Sequence, residues 1–501
     1  MRKKQLLSLA LIAALTTTMF AGCGSSGDKD SAKKKAEKEG KTVLSLGIWP
    51  SADLVDDVKN FEKYAKTMNE QHSDVYVEPA SYTYATDTFV SLAESGNCPT
   101  IFETWFTEPK KLIKQGLVAD VTDILKERGW IDDMSPSVLS LMSDENGHVY
   151  GVPRDAYALG LMCNVELFEE AGLVDDNGIP KFPQTWDELA KDAKIIKDKT
   201  GAAGLCLLAK DNSGGWHFSN IAWCFGATLC TDNGDGTYTS HLDSTEAVAA
   251  MEYVYDLKWK YDVLTADPTA EDWASGFQQL GTGAAAMYIA ANDAVAQPTQ
   301  VNGLPTDKLA MGAIPAGPNG DQYSLTGGTP YMFSKDATKE EINAALDFLE
   351  IMGKSPVVND TSIEGKQADA ANRVSNGVPV IKSFPCWINQ DYVDAEQKVI
   401  DEYKNVDSAL YDSYFEKTGA EGNLRAEEPV SYTHLRAHET PEPYRRQRQM
   451  CIRDRPGDTQ SMYKELTKVL QEVVTKKDCN VEELMKTANE NYQKVLDKLN
   501  K

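Results

Sequence analysis

Beyond Thr42 the apolar positions alternate between two patterns. Val43 to Ile48 is a short, nearly continuous apolar run, which predicts a buried strand, and Leu54, Val55, Val58, Phe61, Ala65 and Met68 follow at helical spacing. Val75 to Val77 predicts a second strand, Phe89 to Ala93 falls in a helix, and Pro99 to Phe102 predicts a third strand running into Glu103-Thr104-Trp105. Strand then helix, repeated, predicts a parallel sheet covered on both faces. Ligands of such sheets bind beyond the carboxyl ends of the strands, so the loops at Trp49 and Trp105 form a candidate rim.

The same signals start again downstream. Thr185 and Glu188 make a capping box for a helix from Trp186 to about Lys199, Gly204 to Leu208 reads as a strand, and a polar loop from Asp211 to Gly215 leads into Trp216 and an apolar helix. Asp232 to Thr237 lacks the ligand pattern of a calcium loop and reads as a hairpin turn. Ser244 caps a helix carrying Ala247, Met251, Val254 and Tyr255. Between the two sets, an apolar run from Val149 to Val165 passes without a linker into a short helix, Glu166 to Ala171, closed by Gly172. A strand crossing directly between two α/β lobes makes a hinge, because a few residues absorb the φ/ψ change while both lobes stay rigid.

The sequence GHVYGVP at Gly147 to Pro153, the strand ending in Asn164, then LFEEAGL and PQTWDEL together resemble the signature of the family-1 extracellular solute-binding proteins. Those are substrate receptors of ABC-type sugar importers. Met162-Cys163 stands where the family usually has an aromatic before the Asn. WASGFQQLGTGAAAM, Trp273 to Met287, resembles the family's aromatic helix followed by a strand, and the likeness covers about Val43 to Val430 and the helices from Ser461. It implies an α/β, two-lobed, periplasmic-binding-protein-like (class II) fold with three hinge crossings, near Arg154 to Tyr157, Ala285 to Ile289 and Gly327 to Tyr331. Residues 41–154 and 288–328 then form the N-terminal lobe, and 155–287, 329–429 and 456–501 the C-terminal lobe.

Composition narrows the partners. At 501 residues the chain suits two lobes, and its formal charge of −25 disfavours nucleic acid and anionic lipid. The nine cysteines form no CxxC pair and no metal-ligand spacing with the six histidines, so no metal or cofactor is signalled. Cys224 and Cys230 read as small core residues rather than a disulfide. Arg2, Lys3 and Lys4 precede an apolar run from Leu6 to Phe20, and Phe20-Ala21-Gly22-Cys23 resembles a bacterial lipobox, which predicts a signal peptide over 1–22 and lipidation of Cys23. Two or three acyl chains would hold the product on the outer face of the cell membrane. Gly24 to Gly40 has no apolar residue larger than Ala and reads as a coiled tether with a reach of roughly 25 Å.

Val430 to Arg455 stands apart. It holds six of the chain's eleven arginines, and Ser431 to Arg455 carries a net +3 in an otherwise acidic chain. A basic patch for nucleic acid is one reading; the stronger is that the string resembles translated sequencing-adapter read-through, an artefactual insert over 430–455, and that reading assigns nothing to His434 and His438.

A sugar presents C–H faces and a hydroxyl edge, so its receptor needs flat aromatics and hydrogen-bonding side chains in a cleft that excludes water. Candidates on the predicted rim are Trp49, Tyr82, Tyr84, Glu103 and Trp105; at the hinge, Asp155 and Tyr157; and in the second lobe Asp211, Asn212 and Trp216. Asn292 and Asp293 follow the second predicted crossing. The resemblance supports Glu103 to Trp105, the loop from Asp211 to Trp216, Gly327-Gly328 and the region of Trp387 as ligand-facing. Trp186 and Trp259 read as structural. No GxSxG elbow, HExxH or P-loop occurs, and no catalytic residue stands out. A secreted glycoside hydrolase and a receptor for a non-sugar solute are the rival readings. Arginine is scarce outside the odd segment, which argues against carboxylate or phosphate ligands; Arg154 and Arg373 are the exceptions. The partners expected are a carbohydrate and the membrane subunits of an ABC importer, with the chain acting as a monomer.

Overall fold

The computed structural model describes residues 26–52, 54–144, 146–233, 237–384, 386–418, 424–426 and 458–499. Cys23, the signal peptide and the segment 430–455 lie outside them. Among the described residues no helix is long and apolar enough to cross a membrane.

The strands are β1 (Thr42–Leu46), β2 (Val75–Pro79), β3 (Ile101–Glu103), β4 (Gly151–Asn164), β5 (Ala203–Cys206), β6 (Cys230–Asp232), β7 (Tyr238–Ser240), β8 (Ala285–Ala291), β9 (Leu309–Gly312), β10 (Ser324–Phe333) and β11 (Leu424–Ala426). The main sheet runs β2-β1-β3-β10-β4-β8-β5, with β9 on β4 and β11 on β10; β6 and β7 form a separate hairpin where the turn over 232–237 was predicted. Its two ends serve two hydrophobic cores. Leu44, Leu46, Ile101, Trp130, Phe348 and Trp387 belong to the first, and Leu161, Phe168, Trp186, Leu205, Met287 and Tyr463 to the second.

The continuous apolar run predicted for β4 is explained by this arrangement. Its first half pairs with β10, and Leu159 to Cys163 pair with β8, so one strand is covered twice. β10 likewise joins β3 at Tyr331 to Phe333 and reaches Thr326 beside Ala158. Asn164 then caps the helix Val165–Ala171, and Gly172 closes it at φ +71°, a left-handed conformation that glycine adopts without a Cβ clash.

The chain changes core along β4 and along β10, at two of the predicted crossings; further on it reaches the second core at Val378, returns to the first at Cys386 and leaves it again between Tyr392 and Val406. It does not change at β8. All seven residues of β8 are buried, it pairs in parallel with β5 and antiparallel to Leu159 to Cys163, and every one of its residues packs in the second core. The predicted lobe division is therefore corrected on both sides of β10. The buried residues of 288–325 belong to the second core, whereas Tyr331 to Ile351 and Cys386 to Tyr392 return to the first. The resemblance located a strand at Ala285 but not which half of β4 it would join.

The tether is also corrected. Ser26–Lys38 is a helix beside β1 and β2, with Ala36 buried and Lys33 Nζ 3.0 Å from Glu78. Alanine, lysine and glutamate have high helix propensity, which favours a helix even where the segment has no large apolar residue.

Candidate ligand cleft

Between the lobes lies a cleft of about 570 Å³, within the size range of small-molecule sites. The first lobe contributes Trp105 and Thr107, from the segment that follows β3. Trp105 is 47% exposed, uncommon for tryptophan, and its ring meets Tyr84 edge-on at 5.5 Å. Tyr84 is buried and donates its hydroxyl hydrogen to the buried Glu108 carboxylate at 2.7 Å. Burial and that carboxylate both push the Tyr84 phenol pKa up, so it stays a donor.

The second lobe forms an aromatic corner. Trp216 and Trp273 lie 5.3 Å apart with their planes 77° from each other, and both line the cleft. Behind them sits His217, fully buried, 4.9 Å from Trp216 and 5.6 Å from Tyr288, with neither ring nitrogen hydrogen-bonded. Burial lowers its pKa to about 3, so the imidazole is neutral. Trp273 is placed by a capping box in which Asp272 accepts from Ser275 N and the Ser275 hydroxyl oxygen accepts from Asp272 N.

The predicted loop at Asp211 to Gly215 is instead the first turn of the helix Asp211–Cys224. A Cβ on Gly215 would lie 2.1 Å from the Tyr463 carbonyl oxygen, so the glycine is what lets the helix Thr459–Thr475 approach. Gly215 N donates to Thr467 Oγ1 at 2.8 Å, and this tertiary contact offsets glycine's poor helix propensity. The approach brings Gln460 and Tyr463 to the cleft, where Asn212 donates to Gln460 Oε1 at 2.9 Å. Ser213 beside Asn212, then Asp293, Ala294, Ala296 and Gln297, which follow β8, and Tyr157 on β4 complete the lining.

At the hinge, the register of β4 against β10 shifts between Thr329 and Pro330, leaving Arg154 as the extra residue between the pairs Pro153–Pro330 and Asp155–Thr329. Such a bulge re-aims its side chain. Arg154 donates to Glu103 at 2.7 Å, to Asp155 at 2.6 Å and to Thr329 Oγ1 at 3.2 Å, joining three strands.

A sequence profile described as bacterial extracellular solute-binding protein matches residues 51–356. The chain belongs to that family. Among curated relatives of this solute-binding protein, it is 27% identical to the diacetylchitobiose-binding protein of Streptomyces coelicolor, over 54% of this chain and 60% of that one. It is 22% identical to the melibiose/raffinose/stachyose-binding protein of Bacillus subtilis, over 77% and 84%. The chain thus spans about 60% of the length of the first of these. A Mycobacterium tuberculosis structure in complex with glycerophosphocholine superposes with a TM-score of 0.64 at 16% identity, covering 92% of this chain and 99% of that one, which supports the same two-lobed fold.

Five predicted residues of the binding protein meet in the cleft: Trp105, Tyr157, Asn212, Trp216 and Asp293. The others do not line it. Trp387 is 1% exposed and packs edge-on against Trp130 at 5.8 Å, inside the first core. Trp49 packs on Phe61 at 5.5 Å, and Tyr82 on Phe102 at 6.4 Å. Glu103 and Asp155 are taken up by Arg154. Asn292 is buried and accepts from Ala158 N and the Tyr414 hydroxyl, so it fixes β4 rather than a ligand. A Cβ on Gly328 would lie 2.3 Å from Phe106, which makes it a packing glycine, and Asp211 points to solvent with φ +48°. Trp186 and Trp259 are structural as expected: the first is 1% exposed, and the second donates to Val473 O at 2.8 Å. Cys224 and Cys230 are buried thiols that form no disulfide.

Trp273, Gln297, Gln460 and Tyr463 were missed. The Gly214-Gly215 pair signals a close approach, but nothing in the sequence names its partner.

Proposed function

We propose that this chain captures a sugar or short oligosaccharide between its lobes and delivers it to the membrane subunits of an ABC importer. The observation that carries the reading is the cleft itself: tryptophans on both sides, Trp105 from one lobe and Trp216 with Trp273 from the other, interleaved with amides at Asn212, Gln297 and Gln460. Flat rings suit the C–H faces of a sugar and amides suit its hydroxyls. The sugars named for the two curated relatives support the same class.

Closure about β4 and β10 traps the ligand, which binds the closed form better and so shifts the population towards it. The protein acts as a lipid-anchored monomer held outside the cell through Cys23, and as a receptor rather than a hydrolase. Calorimetric titration with mono- and oligosaccharides tests this. A saturable isotherm without release of reducing ends is expected, together with compaction in small-angle scattering; release of reducing ends would establish the hydrolase instead.

A further inference from the structure

We propose that the cleft selects against negatively charged ligands, that Asp293 enforces the selection, and that the carbohydrate taken is therefore uncharged or cationic. This rests on the carbohydrate reading above. None of the described lining residues is Lys, Arg or His, and Asp293 is the one carboxylate among them. A phosphate or carboxylate ligand would ordinarily be met by a bidentate arginine. The two arginines whose charge acts on Asp293 are committed elsewhere. Arg154 is held by Glu103 and Asp155, and Arg373 Nε lies 3.1 Å from Asp369.

Apart from its own backbone N–H, the Asp293 carboxylate has no hydrogen-bond or ion-pair partner among the described residues, and it is exposed to the cleft while protein crowds its other sides. The charged and titratable groups facing it are Asp155 and Arg154 from β4, Arg373 from the helix Asp360–Ser375, and Tyr414 from the helix Ala409–Thr418. Desolvation, then the like charge of Asp155, raises its pKa to about 7, against the pull of the two arginines. At pH 8 an anionic ligand meets an unpaired carboxylate; at pH 5.5 that carboxylate is mostly protonated and the repulsion falls. A hydroxyl donates to it, and an ammonium group pairs with it.

The test is calorimetry on matched pairs, galactotriose against trigalacturonate and diacetylchitobiose against its C6-oxidised form, at pH 8 and pH 5.5. The neutral member of a binding pair is expected to bind at least ten-fold tighter at pH 8, with the gap narrowing at pH 5.5, where the uronate remains ionised. Asp293→Asn is expected to shrink the pH 8 gap to within about three-fold and to remove its pH dependence. An anionic member that binds wild type as tightly as its neutral counterpart would overturn the charge selection alone. A gap unchanged in Asp293→Asn would remove Asp293 from the role. Failure of all four sugars to bind would instead bring down the carbohydrate reading, and the charge selection with it.

Discussion

Two tryptophan pairs in this molecule have nearly the same geometry and opposite uses. Trp130 and Trp387 meet at 5.8 Å and 77°, and Trp216 and Trp273 at 5.3 Å and 77°. The first pair is sealed: both rings are 1% exposed, Arg128 lies 5.5 Å above Trp130, and the backbone ties Met134 to Trp387 in a bridge. The second pair opens on the cleft and is backed by a histidine without hydrogen-bond partners. An edge-to-face pair is thus a packing unit with no function of its own; what lies on its far side decides whether it is core or wall.

The contrast is broken most forcefully by truncating each pair. Trp387→Ala is expected to cost about 3–5 kcal/mol of stability, as for large-to-small changes in a close-packed core. Denaturant unfolding measures this, and a cost below about 1 kcal/mol would mean that the site is not sealed. Trp216→Ala should cost less stability, since one face already meets the cleft, but should weaken sugar binding at least ten-fold, about 1.4 kcal/mol, through lost aromatic contact and area. Unchanged affinity in Trp216→Ala would return that pair to the core.

His217 sharpens the contrast through pH. Its folded pKa, about 3, lies below the ordinary value of 6.5, so the unfolded chain binds the proton more readily. The contribution to stability is therefore whole above pH 6.5 and is lost as pH falls towards 3, at up to about 1.4 kcal/mol per pH unit. His217→Phe, which keeps a ring against Trp216 and Tyr288, should lose less stability than wild type between pH 7 and pH 5. Equal losses in the two proteins would show that water reaches the imidazole.

What the sequence made legible divides along the same line. Strand β4, the closing Gly172 of the helix after it and the N-cap at Thr185 are local signals that the structure holds, although Glu188 accepts from Gln184 N rather than Thr185 N and so leaves the predicted capping box incomplete; the crossing at β10 came from the family likeness. Trp105, Tyr157, Asn212 and Trp216 were legible because each sits at the end of a strand, at the hinge or at the start of a helix on a predicted rim. Trp387 was not, because its environment is made by Trp130, 257 positions away, and by the Cys386 carbonyl accepting from Ser135 N at 2.8 Å. Gln460 and Tyr463 were invisible for the same reason: they reach the cleft only because Gly215 admits their helix. The side on which β8 pairs is likewise a tertiary outcome, and the predicted lobe division failed there.

The smallest expected effect concerns Trp105, the cleft's tryptophan from the first lobe, which has neither a tryptophan partner nor a buried histidine behind it. It is steadied by Tyr84, and Tyr84 by Glu108, a carboxylate only 4% exposed that among the described residues faces the Tyr84 hydroxyl at 2.7 Å, the Thr107 hydroxyl at 3.4 Å and Lys111 at 3.8 Å. Tyr84→Phe keeps the ring against Trp105 and removes only the hydrogen bond, so the loop holding Trp105 loosens without losing its aromatic neighbour. A hydrogen bond to a charged acceptor contributes about 1.5–3 kcal/mol, nearly all of which should appear as lost stability. Affinity should fall only two- to three-fold, and the fluorescence change of Trp105 on sugar binding should shrink. A ten-fold loss of affinity would mean that Tyr84 touches the ligand itself, and the first lobe would then present a two-ring wall like the second.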